Sequence, residues 1–377
     1  MAHSRLLLRH IRQEIGECGG AISFRRYMEL ALYAPGLGYY SAGARKFGAE
    51  GDFVTAPEVS PLYSRCIAFQ CAEILAALGG GDILEVGAGS GVMAGEILRT
   101  LERKRSLPNR YLILELSADL RQRQRAALQA SVPHLTERVV WLDAHPEYPL
   151  TGVIIGNEFL DALPVQRFQL VGGEVRAMRV KCSGDGLKGV YERADEYICE
   201  IVERLQEELG CTLPDGYASE ISDQLAPIVQ ELAESLERGV ALFVDYGLPQ
   251  SELYAPDRSR GTLVCHYRHR VHDDPFLHPG LQDLTAWVNF TQAAAAGLEA
   301  GLSIAGFTPQ AQFLLATGLI QQLDASSGLQ EQLELARQAK LLTLPGEMGE
   351  RFKVLAMQRD YPARLSGFAL KDLSATL

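Results

Sequence analysis

One short stretch limits the folds open to this chain more than any other. The apolar run Asp82-Ile83-Leu84-Glu85-Val86 passes straight into Gly87-Ala88-Gly89-Ser90-Gly91, and a helical segment to about Lys104 follows. Glycine lets the backbone turn tightly and lets a ligand come close to main-chain atoms. A strand that enters a helix through such a turn is the opening crossover of a parallel α/β sheet. The following pattern agrees. Tyr111–Leu116 is a second apolar run followed by an Arg/Gln/Ala-rich helix to about Ala130, Val139–Leu142 is a third, and Gly152–Gly156 is a fourth. Continuous apolar strands alternating with helices predict a parallel sheet covered on both faces.

The alternation then breaks. Phe168 to Lys181, centred on Gly172-Gly173, reads as a β-hairpin, and Ala194–Leu209 and Ile221–Arg238 read as helices. Val240–Val244 restores an apolar strand, so a large insertion precedes the fifth core strand. Gly261 to Phe290 is loop-rich, Ala293–Ala305 reads as a helix, Phe313–Ala316 as a strand, Leu329–Leu342 as a helix and Phe352–Met357 as a late strand. Residues 1–78 are mostly helical, interrupted by a Gly/Pro/Tyr-rich loop from Ala34 to Pro61 whose length marks a lid or binding loop. The expected fold is α/β: a Rossmann-like core with an N-terminal helical extension and that insertion. Its segments are 1–78, 79–166, 167–238 and 239–377.

Charge and composition remove several function classes. Hydrophobic residues at 47% and charged residues at 22% exclude a disordered or coiled-coil chain. A net charge of -11 without a basic stripe excludes general nucleic-acid binding, while a local acidic pocket would suit a small cation. No apolar run approaches the roughly 20 residues of a membrane span. The start, with Leu7, Leu8, Ile11 and Ile15 on one stripe, reads as an amphipathic helix; a targeting remnant is the alternative. Seven scattered cysteines with no Cys-x-x-Cys pair point to a reducing compartment and away from a cysteine-zinc site.

The turn spacing is G-x-G-x-G, one residue shorter than the dinucleotide fingerprint, and Glu85 precedes it. An acid there would repel a pyrophosphate and favour the sulfonium and amino group of S-adenosylmethionine (SAM). Gly87, Gly89 and Gly91 are the expected cradle, Glu115 at the end of the second strand the expected partner of the ribose hydroxyls, and Asp143 either an adenine contact or a strand-end turn residue. Asn157-Glu158-Phe159-Leu160-Asp161 follows the fourth strand, where open α/β sheets bind ligands. Methyl transfer mainly requires positioning and desolvation of the nucleophile. A guanidinium is planar and cationic, so carboxylates can grip it and aim one nitrogen. Glu158 and Asp161, with Asn157 beside them, suit that task; the bland alternative is a turn cap and a strand end. Asp245 ends a buried strand and either adds acidity to the cleft or begins a turn. His266, His269 and His272 are spaced for a shared helical face, but Pro275, Pro279, Arg268 and Arg270 point to a cleft loop, so no metal is expected. Tyr33, Tyr39 and Tyr40 either face the ligand or pack the long loop.

Further segments carry a family resemblance: Gly51 to Pro61, the Glu85 to Gly91 turn, Asn157 to Pro164, Cys265 to Arg270 with Asp274-Pro275-Phe276, Pro279-Gly280 and Gln282-Asp283, and Pro345 to Phe352. Over nearly the whole length the chain resembles the MidA family of class I SAM-dependent methyltransferases. That family includes a mitochondrial protein arginine methyltransferase needed for respiratory complex I assembly. The resemblance implies SAM held by the glycine turn and Glu115, with Thr55 and Pro57 in a loop over the cofactor and His266 and Gln282 lining the substrate cleft. It implies a protein substrate, a respiratory complex I subunit among the expected partners, and no nucleic acid. The family pattern has a histidine and an aspartate where Trp287 and Asn289 stand, so no titrating role is expected there. A bacterial, cytoplasmic member is expected, or a mitochondrial one if a presequence has been removed. Competing readings are a SAM enzyme for a small molecule or another side chain, an assembly factor with weak methyl transfer, and a nicotinamide-dependent oxidoreductase.

Overall fold

The computed structural model describes residues 2–41, 55–324 and 328–377. Their contacts separate into two compact units. One contains Met1–Lys46, Asp161–Leu225 and Leu248–Asn289; the other contains Phe47–Leu160, Ala226–Gly247 and Phe290–Leu377. These units cut across the segments 1–78, 79–166, 167–238 and 239–377, because the chain leaves the larger unit twice, once after each of two neighbouring core strands.

The larger unit is built on a sheet whose strands lie in the order Ser303–Pro309, Phe352–Arg359, Leu236–Leu248, Leu150–Asn157, Asp82–Val86, Tyr111–Leu114 and Val139–Leu142. Pairing from Leu236–Leu248 through Val139–Leu142 is parallel, and Phe352–Arg359 runs antiparallel between its two neighbours. The chain builds outward from Asp82–Val86 to Val139–Leu142, then crosses back to place Leu150–Asn157 on the other side. That reversal is a topological switch point, and ligands of open α/β sheets bind beyond the carboxyl ends of the strands there.

Helix Pro61–Leu78 buries Leu62, Cys66, Ile67, Cys71, Ile74 and Leu75. It starts with the Ser60 hydroxyl accepting from Leu62 N at 3.2 Å and Pro61 in the first turn, and ends at left-handed Gly79. Its apolar side joins Ile97 and Leu98 of helix Val92–Arg103, with Ile83, Val153, Leu242 and Val354 from the strands, in one core.

The amino-terminal ends of three neighbouring strands meet through glycines. A β-carbon on Gly152 (φ 149) would stand 1.9 Å from Asp82 O, and one on Gly239 (φ 138) would stand 1.9 Å from Gly152 O. Asp82, Gly152 and Gly239 are register partners, so no side chain fits between these backbones.

The smaller unit pairs Ile22–Ser23, Glu174–Ser183, Gln166–Val171 and Ala218–Ile221 in that order, with Gly186–Arg193 on the far side of Glu174–Ser183. Phe168, Val202, Tyr217 and Tyr254 centre its core. The expected hairpin is present, turning at Gly172 (φ 60) and Gly173 (φ 81). Helix Ala2–Glu17 buries Leu7, Ile11 and Ile15 of the expected stripe, while Leu8 is half-buried. The stretch Gly261 to Phe290 is more regular than expected: Val264–Tyr267 pairs with Arg270–His272 and Asp283–Thr285.

Three local readings are corrected. Ile221–Arg238 is not one helix but the end of a strand, helix Leu225–Glu234, and a strand that begins at Leu236. Ala293–Ala305 is helix Phe290–Glu299 followed by strand Ser303–Pro309, with left-handed Gly301 (φ 82) breaking the helix. Phe313–Ala316 belongs to helix Gln310–Ala316, which begins after Pro309; burial of Phe313 and Leu314 made a helical face resemble a strand. Among the described residues, no helix is long and apolar enough to cross a membrane.

Gly152→Val should lower the unfolding free energy by about 3 kcal/mol or more, since the strands must separate and a β-branched residue must adopt a positive φ. Urea denaturation checks this; an unchanged midpoint would show that the glycine contact is dispensable.

Candidate active site

The glycine turn closes with three left-handed residues, Gly87 (φ 67), Gly89 (φ 53) and Gly91 (φ 81). It is enclosed on two sides. A β-carbon on Gly87 would lie 3.2 Å from Phe159 Cδ2, and one on Gly91 would lie 3.0 Å from Gln124 Cα. Gln124 is fully buried and organises this edge. Its amide nitrogen donates to Gly89 O at 3.1 Å and to Glu115 Oε2 at 3.2 Å, while its amide oxygen accepts from Trp141 Nε1 at 3.0 Å. Ser117 N donates to Glu115 Oε1 at 2.9 Å. The Glu115 carboxylate is therefore fixed just beyond its strand, tied through one amide to the turn. Gln124 and Trp141 were not identifiable from the sequence, because neither belongs to a motif and the contact depends on how helix Ala118–Ser131 packs.

Glu85 is more enclosed than its place before the turn suggests. It is 1% exposed, and Tyr111 Oη donates to its Oε2 at 2.7 Å. Burial pushes its carboxyl up to about 7; the Tyr111 bond opposes the rise and the charge of Glu115 adds to it. Asp143, expected to meet an adenine or to end its strand in a turn, has a side chain that is 87% exposed and ion-paired with Arg121. Arg121 Nη2 also donates to Leu142 O at 3.0 Å, anchoring the strand end. Thr55 and Pro57 do not lie in an open loop: Thr55 is the N-cap of helix Ala56–Val59, and Pro57 is buried within it. Glu58 of that helix accepts a hydrogen bond from the Ser90 hydroxyl in the glycine turn. Residues 51–54 of the Gly51 to Pro61 block lie outside the described residues.

Across the switch point, strand Leu150–Asn157 ends in an unusual conformation. Glu158 has φ 48, in the left-handed region that non-glycine residues rarely occupy. Its N–H donates to Val244 O at 2.8 Å. Its Oε1 accepts from Ala56 N at 3.1 Å and lies 3.4 Å from Asn157 Nδ2. Asn157 Oδ1 in turn accepts from the buried Tyr63 hydroxyl. Asp245 is fully buried: its Oδ2 accepts from Phe159 N at 3.0 Å and Leu160 N at 2.8 Å, and its Oδ1 from Tyr246 N at 3.1 Å. Of the two readings of Asp245, cleft acid or turn residue, these bonds match the second, since the carboxylate holds the turn that follows Glu158.

Thus Glu85, Gly87, Gly89, Gly91, Glu115, Asp143, Thr55, Pro57, Asn157, Glu158 and Asp245 share the larger unit, while Asp161, His266 and Gln282 belong to the smaller one. Asp161 is buried, and its carbonyl accepts from Ala286 N at 3.1 Å. Gln282 is 1% exposed, and its amide donates to Pro275 O at 2.6 Å, so it clamps its own loop rather than offering an open amide. His266 is half-buried in strand Val264–Tyr267. Tyr33 and Tyr40 stack on each other at 5.5 Å, Tyr33 donates to Ala162 O at 2.8 Å, and Tyr40 donates to the Asp283 carboxylate at 3.0 Å, which is the packing role. Asn289 donates to Gln250 Oε1 at 2.9 Å, and Arg258 lies over the Trp287 ring at 5.3 Å.

The raised Glu85 carboxyl has a pH consequence. The folded state keeps a proton that the unfolded chain releases at its ordinary pKa of 4.5, so this stability is complete below that value and is lost as pH rises through about 7. Glu85→Gln cannot ionise and should flatten that decline. Between pH 5 and 8 the wild-type protein without ligand should lose on the order of 2 kcal/mol more than the variant in urea titrations. Equal slopes would remove Glu85 as the buried titrating group.

Residues 66–308 match the family described as "Putative S-adenosyl-L-methionine-dependent methyltransferase". A protein of Burkholderia thailandensis crystallised with S-adenosyl-homocysteine is 42% identical, with a TM-score of 0.95 over 100% of this chain and 97% of its own. Among curated relatives, "Protein arginine methyltransferase NDUFAF7 homolog, mitochondrial" of Drosophila melanogaster is 28% identical over 368 residues, covering 90% of this chain and 82% of the relative. The Homo sapiens protein arginine methyltransferase NDUFAF7 is 26% identical over 391 residues, covering 93% and 83%. A left-handed glycine turn closely flanked at Gly87 and Gly91, a fixed acid beyond the second strand and an acid-rich surround fit a cationic nucleoside. This chain belongs to the MidA-like family of SAM-dependent methyltransferases.

Proposed function

We propose that the acceptor of this methyltransferase is an arginine side chain of a protein. The observation that carries the reading is Glu158: a carboxylate at the carboxyl end of a switch-point strand, held in a strained backbone conformation by named partners. Strain of this kind persists where surrounding contacts impose it, and it clusters at active sites. SAM, when bound, would supply a methyl group on a sulfonium: the nitrogen–carbon bond would form as the carbon–sulfur bond breaks, S-adenosyl-homocysteine would leave, and the methylated guanidinium would release one proton to solvent. Gly87, Gly89 and Gly91 would let the main chain approach the cofactor, and Glu115 would accept from its ribose hydroxyls. Glu158 accepts N–H bonds from the guanidinium, concentrates its positive charge on the held side and turns another nitrogen toward the methyl carbon. The curated relatives are named arginine methyltransferases across most of their length, which supports the same acceptor. A respiratory complex I subunit is the first protein substrate to try.

Glu158→Gln should lower methyl transfer about 100-fold while leaving the SAM dissociation constant within about threefold, because one charge is removed without loss of volume. The rate is read as tritiated methyl incorporation into protein from cells lacking this chain, followed by mass spectrometry of modified residues. Label on arginine that depends on Glu158 supports the proposal; label only on a small molecule or another side chain rejects it. Gly89→Val should abolish SAM binding in isothermal titration, since a β-branched residue resists a φ near 53 and fills the cradle. Retained micromolar binding would remove the turn as the cofactor site.

A further inference from the structure

We infer that Asp245 and Tyr63 are positioning residues that together fix the direction of the Glu158 carboxylate. The inference rests on the proposed role of Glu158 and adds how that role is enforced. Three consecutive N–H groups, of Glu158, Phe159 and Leu160, donate to the neighbouring strand: the first to Val244 O at 2.8 Å, the others to Asp245 Oδ2 at 3.0 and 2.8 Å. A left-handed non-glycine residue is strained and persists only with compensation from its surroundings. Asp245 gives that compensation through charge-assisted bonds to backbone N–H groups, which are stronger than neutral ones.

The second hold acts on the side chain. Tyr63 Oη donates to Asn157 Oδ1, which leaves the Asn157 amide nitrogen directed to Glu158 Oε1 at 3.4 Å. Burial raises the Tyr63 pKa well above its usual value, the charges of Glu158 and Asp245 adding to the rise, so the hydroxyl keeps its proton and stays a donor. Ala56 N, at 3.1 Å from the same oxygen, completes the arrangement. One hold acts on the backbone that carries Glu158 and the other on its carboxylate. Neither Asp245 nor Tyr63 needs to touch an acceptor.

Asp245→Asn tests the first hold. Its carboxylate accepts from Phe159 N and Leu160 N on one oxygen and from Tyr246 N on the other, so an amide in either orientation sets an NH2 against an N–H. Tyr63→Phe tests the second and keeps the ring. At saturating SAM, in the tritium assay on protein from cells lacking this chain, the rates should fall about 30-fold and about 10-fold, with SAM dissociation constants within about threefold. In a Glu158→Gln background each substitution should change the residual rate by less than about twofold, because each acts through Glu158. If Glu158→Gln keeps its activity, the catalytic reading itself fails. If Glu158→Gln is impaired while both single variants retain near-wild-type rates, or if the losses multiply in the double variants, the positioning role is overturned and the catalytic reading stands. Should Asp245→Asn not fold, Tyr63→Phe and its double variant decide the question alone.

Discussion

Parallel pairing between Leu150–Asn157 and Asp82–Val86 is the constraint from which the site follows. The register sets Val86 against Gly156, so the residue after one strand and the residue after the other leave the sheet side by side. A β-carbon on Gly87 would lie 3.2 Å from the Phe159 ring, so a larger residue at 87 would press on that side chain. At the opposite ends of these strands, the glycines at 152 and 239 bring the backbones closer than side chains permit. Close approach at one end and divergence into loops at the other give a rigid platform with a functional rim.

Electrostatics then separate the acids by role. Glu85, Glu115, Glu158 and Asp245 all lie near the carboxyl ends of adjacent strands, yet each has a different set of partners. Asp245 is fully buried and accepts three backbone N–H bonds. Glu115 is held by a backbone N–H and an amide. Glu85 has a phenol, and desolvation dominates, which is why its carboxyl rises to about 7. A cation bound nearby would offset that desolvation, so the turn is better suited to a sulfonium than to a pyrophosphate.

Much of this was legible in the sequence. The strand-turn-helix at Asp82 to Lys104 named the sheet, and the position of Asn157-Glu158 after an apolar run named the rim, because both signals are local. What escaped was non-local or ambiguous in period. Gln124 joins the glycine turn to Glu115 only because helix Ala118–Ser131 lies across both, and no spacing announces that. Asp245 was legible only as a cleft acid or a turn residue; its three backbone donors come from a turn 85 and 86 residues earlier and from its own neighbour. Phe313–Ala316 showed only that its residues were apolar, which a buried helix and a strand share. Asp161 stands three residues after Glu158, yet it belongs to the other compact unit, a boundary that chain proximity conceals.

That boundary has its own logic. The chain leaves the larger unit after Leu160 and again after Gly247, immediately beyond the residues that carry Glu158 and Asp245. Both departures come from carboxyl ends of neighbouring parallel strands, the edge at which α/β folds accept long connections without disturbing the sheet. The turn is held by Val244 O and the Asp245 carboxylate, so these bonds run backward into the sheet from which it emerges. A long insertion can therefore begin at Asp161, three residues beyond a carboxylate whose turn is tied to the sheet.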